Sequence, residues 1–172
     1  MKNMELLLLA LTLLATVIIS ALTLRQTTRH FEIERTSAFV ARFNSQEMVE
    51  LREEVDRWLE SNESPSQLYD RSFGPPIDPA ETNPNSGLPP KQALVSKLRT
   101  IANYFQEFGT ALKVDSLNEQ YAHELLGAVC VRYATSLEPF IFETRKRLQR
   151  PQAYEEVFLL KSRMESLDKE RQ

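Results

Sequence analysis

Few residues in this 172-residue chain have the types and spacing that catalysis requires. The only cysteine, Cys130, lies seven positions after His123, so a helix could bring both side chains to one face. Cys130 is flanked by Val129 and Val131, however, and no neighbouring charge lowers its pKa to produce the thiolate that nucleophilic catalysis needs. We therefore predict no catalytic residue, and we expect Cys130 to be a small buried hydrophobe.

Metal ligation is the second chemistry that the residue types allow. Glu119, His123 and Glu124 form the only cluster of histidine and acid in the domain. Helical di-iron proteins use Glu-x-x-His pairs on two helices together with two further glutamates. Here Glu119 and His123 are four positions apart, and the chain's second histidine lies far upstream. We expect ordinary surface polar residues at these positions, with no metal site and no cofactor.

The segment TRKRLQR carries the densest positive charge in the chain, and its four cations are Arg145, Lys146, Arg147 and Arg150. Such a cluster could contact anionic lipid headgroups, if it reaches a membrane surface. It could also bind an acidic partner, a nucleic-acid phosphate, or the acidic segment 43–90 of the same chain. We favour a structural interpretation, in which cations in the last turn of a helix offset the dipoles of its exposed carbonyl groups.

Composition excludes several classes of protein. The net charge of −3 and the hydrophobic content of 42% are typical of a folded domain. Segment 43–90 has ten acidic residues against three arginines, and no strongly basic face is evident, so no nucleic acid is expected. The four glycines are scattered and form no phosphate-binding loop. No small-molecule substrate is evident.

Leu6 to Leu24 is an uncharged run of nineteen residues. A helix of that length spans about 28 Å, close to the hydrocarbon thickness of a bilayer, about 30 Å. A cleaved signal peptide has a shorter apolar run and small residues at the cut, where this chain has Ile19. A core helix of a soluble protein would have a polar face. We therefore predict a membrane anchor that contacts the lipid bilayer through Leu6 to Leu24.

Flanking charge predicts the orientation of this anchor. Lys2 precedes it, whereas Arg25, Arg29, Arg35 and Arg42 follow it. Lysine and arginine accumulate on the cytoplasmic side of a membrane. We expect a single-pass protein with a short N-terminal tail outside and the domain in the cytoplasm.

The rest of the chain predicts an all-α fold, a small helical bundle interrupted by a long proline-rich loop. Leu94, Leu98, Ile101, Phe105 and Phe108 recur at helical spacing. Seven of the nine prolines lie within 61–90, which indicates irregular structure there, and Leu68 and Tyr69 suggest that part of the loop contacts the domain. The expected divisions are an anchor at 1–24, a stalk or helix extension at 25–43, a first domain helix at 44–61, the loop at 62–90 and the bundle at 91–170.

Local signals predict where several helices begin and end. Asn44 with Glu47, and Ser116 with Glu119, have the spacing of N-terminal capping boxes. We expect Gly109 to end one helix. We expect Pro139 to interrupt another, because proline suits the first turn of a helix better than its interior.

In order, these landmarks resemble a bacterial family of single-span membrane proteins that is catalogued only as a domain of unknown function. The similar features are the N-terminal span, Arg42–Ser45 with Met48, Arg52, Val55 and Trp58–Leu59, Asn103–Phe105 with Phe108–Gly109, Asp115, Pro139, Ile141 with Arg145, and Tyr154–Glu156. One departure is Lys113-Val114 before Asp115, where a glycine is expected nearby. The resemblance implies an architecture and supplies no activity.

Together these features favour a membrane-tethered helical interaction module, such as an adaptor, an assembly subunit or a sensor arm, in a bacterial inner membrane. Its expected partner is a protein or a second copy of the chain. One alternative is a module that binds lipid or an acidic partner through the cluster at 145–150. Another is an enzyme whose site the sequence does not reveal, although we predict that the protein is not an enzyme.

Overall fold

The computed structural model describes the backbone of residues 2–61, 63–73 and 90–170, with side chains from Leu9 onward apart from residues 10, 71, 73 and 90–92. These residues contain α-helices and no strand, which confirms the all-α class. The helices are α1 (Lys2–Phe43), α2 (Gln46–Glu60), α3 (Pro65–Phe73), α4 (Pro90–Lys113), α5 (Glu119–Leu148) and α6 (Glu155–Glu170). The predicted loop residues 74–89 lie outside the described ranges.

The first helix, α1, passes without a break from the apolar run into the domain. Its 42 residues correspond to about 63 Å at about 1.5 Å per residue. Residues 25–43 therefore extend the helix instead of forming a hinge. Most residues before Thr36 are exposed, whereas Thr36 and Phe43 are buried in the domain.

The turn between α1 and α2 corrects the predicted cap. Asn44 is exposed, and its amide still donates to the carbonyl of Val40 at 3.0 Å, so it belongs to the end of α1. Ser45 caps α2 instead, with its Oγ accepting from the amide of Met48 at 3.4 Å. The prediction was wrong by one residue because α1 retains its hydrogen bonding one residue further than the cap motif implies.

Helices α4, α5 and α6 form the centre of the bundle, and the predicted stripe on α4 is buried at Leu98, Ile101, Phe105 and Phe108. Gly109 does not end α4, which continues to Lys113. A methyl group at Gly109 would lie 2.2 Å from the carbonyl oxygen of Glu156. Gly109 is therefore required where the backbone of α6 crosses α4, and its role is close packing instead of termination.

Pro139 does not interrupt α5, which runs from Glu119 to Leu148 with the proline inside it. A proline in a helix interior costs about 3 kcal/mol. Leu137, Phe140 and Ile141 beside it are fully buried, and burying a large apolar side chain contributes about 1.5–3 kcal/mol. Packing against the bundle thus holds this stretch helical despite the lost hydrogen bond.

The start of α5 also differs from its prediction. The cap is Asn118, whose Oδ1 accepts from the amide of Tyr121 at 2.9 Å. Ser116 instead donates its Oγ to the carbonyl of Ala111 at 2.9 Å and so closes the end of α4. Asp115 has a left-handed φ of 52°. It makes the turn there in place of the expected glycine.

Helix α3 corrects the prediction that the whole proline-rich segment is irregular. Ser64 and Gln67 cap it reciprocally, because each backbone amide donates to the other side chain, at 3.3 Å and 3.2 Å. Pro65 occupies the first helical position, where it is well tolerated. Leu68 and Tyr69 are buried, and the Tyr69 ring stacks on Phe140 at 5.7 Å between centroids. The predicted contact of Leu68 and Tyr69 with the domain is confirmed.

The close approach at Gly109 gives a test of the packing between α4 and α6. Gly109→Ala should lower the free energy of unfolding by about 1–3 kcal/mol, the usual cost of overpacking. An exposed helix would instead gain up to about 1 kcal/mol from this change. Thermal unfolding of the full chain in detergent, followed by circular dichroism, measures the difference. Thr110→Ala, at the exposed neighbouring position, is the control, and a stabilised G109A variant would contradict the packing.

Candidate membrane and partner-binding surfaces

From Leu9 to Leu24, the described side chains of α1 are uncharged and exposed. Every described side chain from Leu11 to His30 is exposed. The large apolar side chains exposed by half or more are Leu9, Leu11, Leu13, Leu14, Val17, Ile18, Ile19, Leu22 and Leu24. A soluble helix would place such side chains against a core, so this surface favours an apolar environment outside the chain.

Hydroxyl groups within this apolar surface are satisfied by the helix itself. Thr12, Thr16 and Thr23 donate to the carbonyl groups of Leu9, Thr12 and Ile19 at 2.8–2.9 Å. A hydroxyl bonded to the preceding turn exposes no unsatisfied donor. These threonines are thus compatible with an apolar environment.

By length and composition, Leu11–Phe43 and Glu119–Leu148 are both able to cross a membrane. The most apolar 18-residue segment of Leu11–Phe43 has no buried residue. In Glu119–Leu148, 44% of the corresponding segment is buried within the domain. Core helices and N-terminal signal sequences share these properties, so the finding is weak support for membrane association. Burial assigns the second helix, α5, to the core of the bundle.

The last two turns of α1 are built into the domain, at what we call the anchor–domain junction: Thr36, Phe39, Arg42 and Phe43 with their contacts. Tyr104 of α4 donates its hydroxyl to the carbonyl of Phe39 at 3.0 Å. The rings of Phe43 and Tyr104 lie 5.5 Å apart between centroids. Arg42 pairs with Glu107 at 2.5 Å. Burial of the Tyr104 hydroxyl raises the pKa of that group well above its ordinary value, so it stays a neutral donor.

Thr36 connects the junction to the start of α5. Its side chain is fully buried, donates to the carbonyl of Glu32 at 2.7 Å and accepts from the amide of Asn118 at 3.1 Å. A buried hydroxyl with both roles satisfied contributes about 0.5–1.5 kcal/mol per hydrogen bond. The position of α5 is thereby fixed against α1 about 18 Å along the helix beyond Leu24, the end of the apolar run.

A groove lies where α5 begins beside α1, and we call it the α1–α5 groove. Its volume is about 580 Å³, and it is lined by one face of α1 from Ala21 to Glu32 and by Asn118 and Gln120. Arg25 and Arg29 are exposed in it, and neither has an ion-pair partner among the described residues. A second depression of about 440 Å³ lies further along α1, with Arg35 and Leu117 in its lining.

The predicted basic cluster divides into structural and exposed cations. Arg145 donates its Nε to the carbonyl of Ala153 at 2.7 Å, and its guanidinium lies 5.7 Å and 5.1 Å from the ring centroids of Phe142 and Phe158. Arg147 pairs with Asp70 of α3 at 2.5 Å and with Glu143 at 2.6 Å. Asp70 belongs to the acidic segment 43–90, so one predicted alternative, an intramolecular contact, occurs at this residue.

Lys146 and Arg150 remain exposed, with no ion pair in the described part of the chain. Lys146 lines a shallow cleft of about 460 Å³ at the end of α5 together with Phe142, Arg145, Gln149 and Pro151, and we call it the terminal cleft. Arg150 lies between two of these lining residues in the chain. Gln149, in the left-handed conformation, ends α5 and accounts for the change of direction.

The residues considered for catalysis and metal ligation are used in packing. Cys130 is fully buried, as predicted, and burial raises the pKa of its thiol to about 12. His123 is buried instead of lying on the surface, with its Nε2 2.8 Å from Asp168 Oδ1 of α6. Glu119 lies 3.4 Å from Arg163. Among the described residues, no group of three His, Cys, Asp or Glu side chains is placed to hold a metal.

The burial of His123 and the packing of Gly127 were not predicted. A methyl group at Gly127 would lie 2.8 Å from the His123 ring, so the glycine makes room for the imidazole. The four-residue spacing of His123 and Gly127 on one helix face is the signal from which this packing could have been found.

Comparison with known proteins identifies a family but no function. The family model described as Domain of unknown function (DUF4760) matches residues 10–164, which is most of the chain. No curated protein and no solved structure matches.

The division of the basic cluster predicts unequal effects of substitution. Arg145→Ala should lower the free energy of unfolding by about 1–3 kcal/mol, because it removes a charge-assisted hydrogen bond and two contacts with aromatic rings. Lys146→Ala should change it by less than about 0.5 kcal/mol, as expected for an exposed side chain. Chemical denaturation of the two variants measures both values. Equal effects would show that Arg145 has no special structural role.

The environment of Cys130 predicts that its thiol is unreactive. The thiolate is the reactive form, and with a pKa of about 12 very little is present at neutral pH. We expect no labelling by a maleimide in the folded chain and rapid labelling in guanidinium. Mass spectrometry after timed exposure measures both rates, and fast modification of the folded protein would contradict this burial.

Proposed function

This chain belongs to the DUF4760 family, and we propose that it is a single-span, membrane-tethered helical module that acts through protein contacts. Its role would be that of an adaptor, an assembly subunit or a sensor arm. The observation that carries the proposal is the form of α1, which is apolar and exposed on all sides at one end and part of the domain core at the other.

Membrane insertion follows from the energetics of this helix. Each exposed leucine, isoleucine or valine of the apolar run contributes about −0.3 to −0.6 kcal/mol to insertion near the centre of a bilayer. No charged residue in Leu6–Leu24 opposes this gain. Arg25, Arg29 and Arg35 follow the span, which supports a topology with the tail outside and the domain in the cytoplasm, at a bacterial inner membrane.

The anchor–domain junction supports an interaction role over simple tethering. Because α1 enters the core through Thr36 and Phe43, the domain is held against its anchor without a flexible linker. Anchoring raises the effective concentration of the domain toward other proteins in the same membrane. A fixed orientation also presents the same surface to each neighbour.

The charged side chains of the bundle support the same proposal. Several form ion pairs between helices: Lys97 with Glu54, Lys113 with Glu156, Arg132 with Asp56, and Arg163 with Glu119. These pairs link α4 with α2, α4 with α6, α5 with α2, and α6 with α5. Charged side chains paired in this way connect the helices of the bundle. The function of such a scaffold would depend on its exposed surface.

The terminal cleft is the surface that we assign to a protein partner. α5 begins beside Thr36 and passes Phe43 at Tyr133, so its last turn lies toward the end of the domain away from the anchor. Leu148 is about 45 Å along α5 from Asn118, at about 1.5 Å per residue. That distance disfavours contact with the bilayer that holds α1. Exposed Phe142 beside Lys146, with Arg150 in the turn between Gln149 and Pro151, instead suits an acidic protein segment with an apolar anchor.

Membrane insertion and topology can be measured with cysteine reporters, because the single native cysteine is buried. In spheroplasts, Asn3→Cys should react with a membrane-impermeant maleimide, whereas Ser166→Cys should react only after permeabilisation. The full-length chain should stay in the membrane fraction after carbonate washing. Recovery of a soluble chain that lacks its N-terminal residues would instead indicate a cleaved signal peptide.

The terminal cleft can be tested by crosslinking in native membranes. A photo-reactive amino acid at Phe142, which lines the cleft, should give a defined adduct, either with another protein or with a second copy of the chain. The same group at exposed Ser162 on α6 is the matched control. Lys146→Glu with Arg150→Glu should abolish the adduct at Phe142, since charge reversal repels an acidic partner. An adduct that persists would exclude an acidic partner at this cleft.

A further inference from the structure

We infer that the α1–α5 groove binds the headgroup of an anionic phospholipid. This inference rests on the proposed membrane anchoring, and it assigns a lipid site to a surface that the interaction role does not use. The groove combines an apolar end, at Ala21 and Leu24, with two arginines one turn apart, at Arg25 and Arg29. A phospholipid has the same order of chemistry along its length, from acyl chain to phosphate.

The depth of the groove matches the position of a headgroup. Leu24 is the last residue of the uncharged run. Arg25 and Arg29 therefore lie about 1.5 Å and 7.5 Å beyond it along the helix, at about 1.5 Å per residue. The headgroup layer on each side of a bilayer is about 5–8 Å thick. Both guanidinium groups can reach a phosphate in this layer, because an arginine side chain extends several ångströms from its helix.

The charges in the groove favour an anion. Arg25 and Arg29 have no ion pair among the described residues, so their hydrogen-bond donors are available to a phosphate. Asn118 and Gln120 place the first turn of α5 at the edge of the groove, and the partial positive charge of a helix N-terminus has the same sign as the two arginines. Glu32 is the acidic residue in the lining, and it lies on the side away from the apolar run. The carboxylate of Glu119 is directed to Arg163.

The groove is held in shape before any lipid arrives. Thr36 accepts from the amide of Asn118 at 3.1 Å, and this bond keeps the first turn of α5 beside α1. Thr28, within the groove, bonds its hydroxyl to the carbonyl of Leu24 at 3.0 Å and so leaves no unsatisfied donor near the acyl chain. A preorganised site binds more tightly because less conformational freedom is lost on binding.

The test uses the full-length chain in nanodiscs that contain phosphatidylcholine with a small fraction of phosphatidylglycerol. Native mass spectrometry after release should show phosphatidylglycerol retained in preference to phosphatidylcholine. Arg25→Gln with Arg29→Gln should reduce this preference by about 30-fold, if each arginine contributes the usual attraction to an anionic lipid. Lys146→Gln with Arg150→Gln removes the same charge at the terminal cleft and should leave the preference unchanged.

A second variant separates charge from shape. Thr36→Val keeps both arginines but removes the bond to Asn118, so the preference should fall, and Thr36→Ser should restore it. If the preference for phosphatidylglycerol falls equally in the Arg25→Gln/Arg29→Gln and Lys146→Gln/Arg150→Gln variants, the attraction is nonspecific and the inference is overturned. Displacement of the lipid by millimolar glycerol phosphate would overturn the requirement for a lipid. A chain that fails to enter nanodiscs would contradict the anchoring itself, whereas an inserted chain without lipid preference would contradict only the groove.

Discussion

The burial of the last two turns of α1 in the domain is the constraint on which the other features depend. Phe43 packs beside Tyr104. The hydroxyl of Thr36 accepts a hydrogen bond from the amide of Asn118, the residue that caps α5. One helix is therefore apolar and exposed at its start and part of a protein core at its end. The position of the α1–α5 groove and the direction of α5 both follow from this. A chain with a flexible stalk at 25–43 would have neither property.

Positive charge is used differently at the two ends of α5. At its start, Arg25 and Arg29 of α1 lie near the N-terminus of α5 without an ion pair in the described chain, and their mutual repulsion, about 0.2–0.5 kcal/mol, would be relieved by a bound anion. At its end, Arg147 is neutralised by Asp70 and Glu143, which fixes α3 to the bundle. The same residue type thus stabilises the fold in one place and leaves binding capacity in the other.

The class of fold and the buried stripe of α4 could be predicted from sequence, because helical periodicity is a local property, whereas the predicted caps of α2 and α5 were misplaced by one and two residues. The apolar run was visible for the same reason, while its insertion in a membrane stays a prediction. Gly109 and Pro139 were misinterpreted because their roles depend on tertiary packing. The backbone of Glu156 crosses α4 at Gly109. At Pro139, the burial of the neighbouring side chains outweighs the cost of a proline inside a helix. Helix α3 was missed although its signal was local, since the density of prolines obscured the Ser64–Gln67 cap. The groove could not be predicted at all, because it depends on the contact between Asn118 and Thr36, which are eighty-two residues apart in the chain.

Because α1 is unbroken, it also fixes the rotation of the domain about the axis of this helix. Successive residues of an α-helix are rotated by about 100° around its axis. One extra residue between Arg25 and Arg35 would therefore turn the whole bundle by about 100° relative to the apolar run. A disordered linker would not transmit this rotation to the domain. The continuous helix α1 would transmit it, so every surface of the domain would change its direction relative to the apolar run.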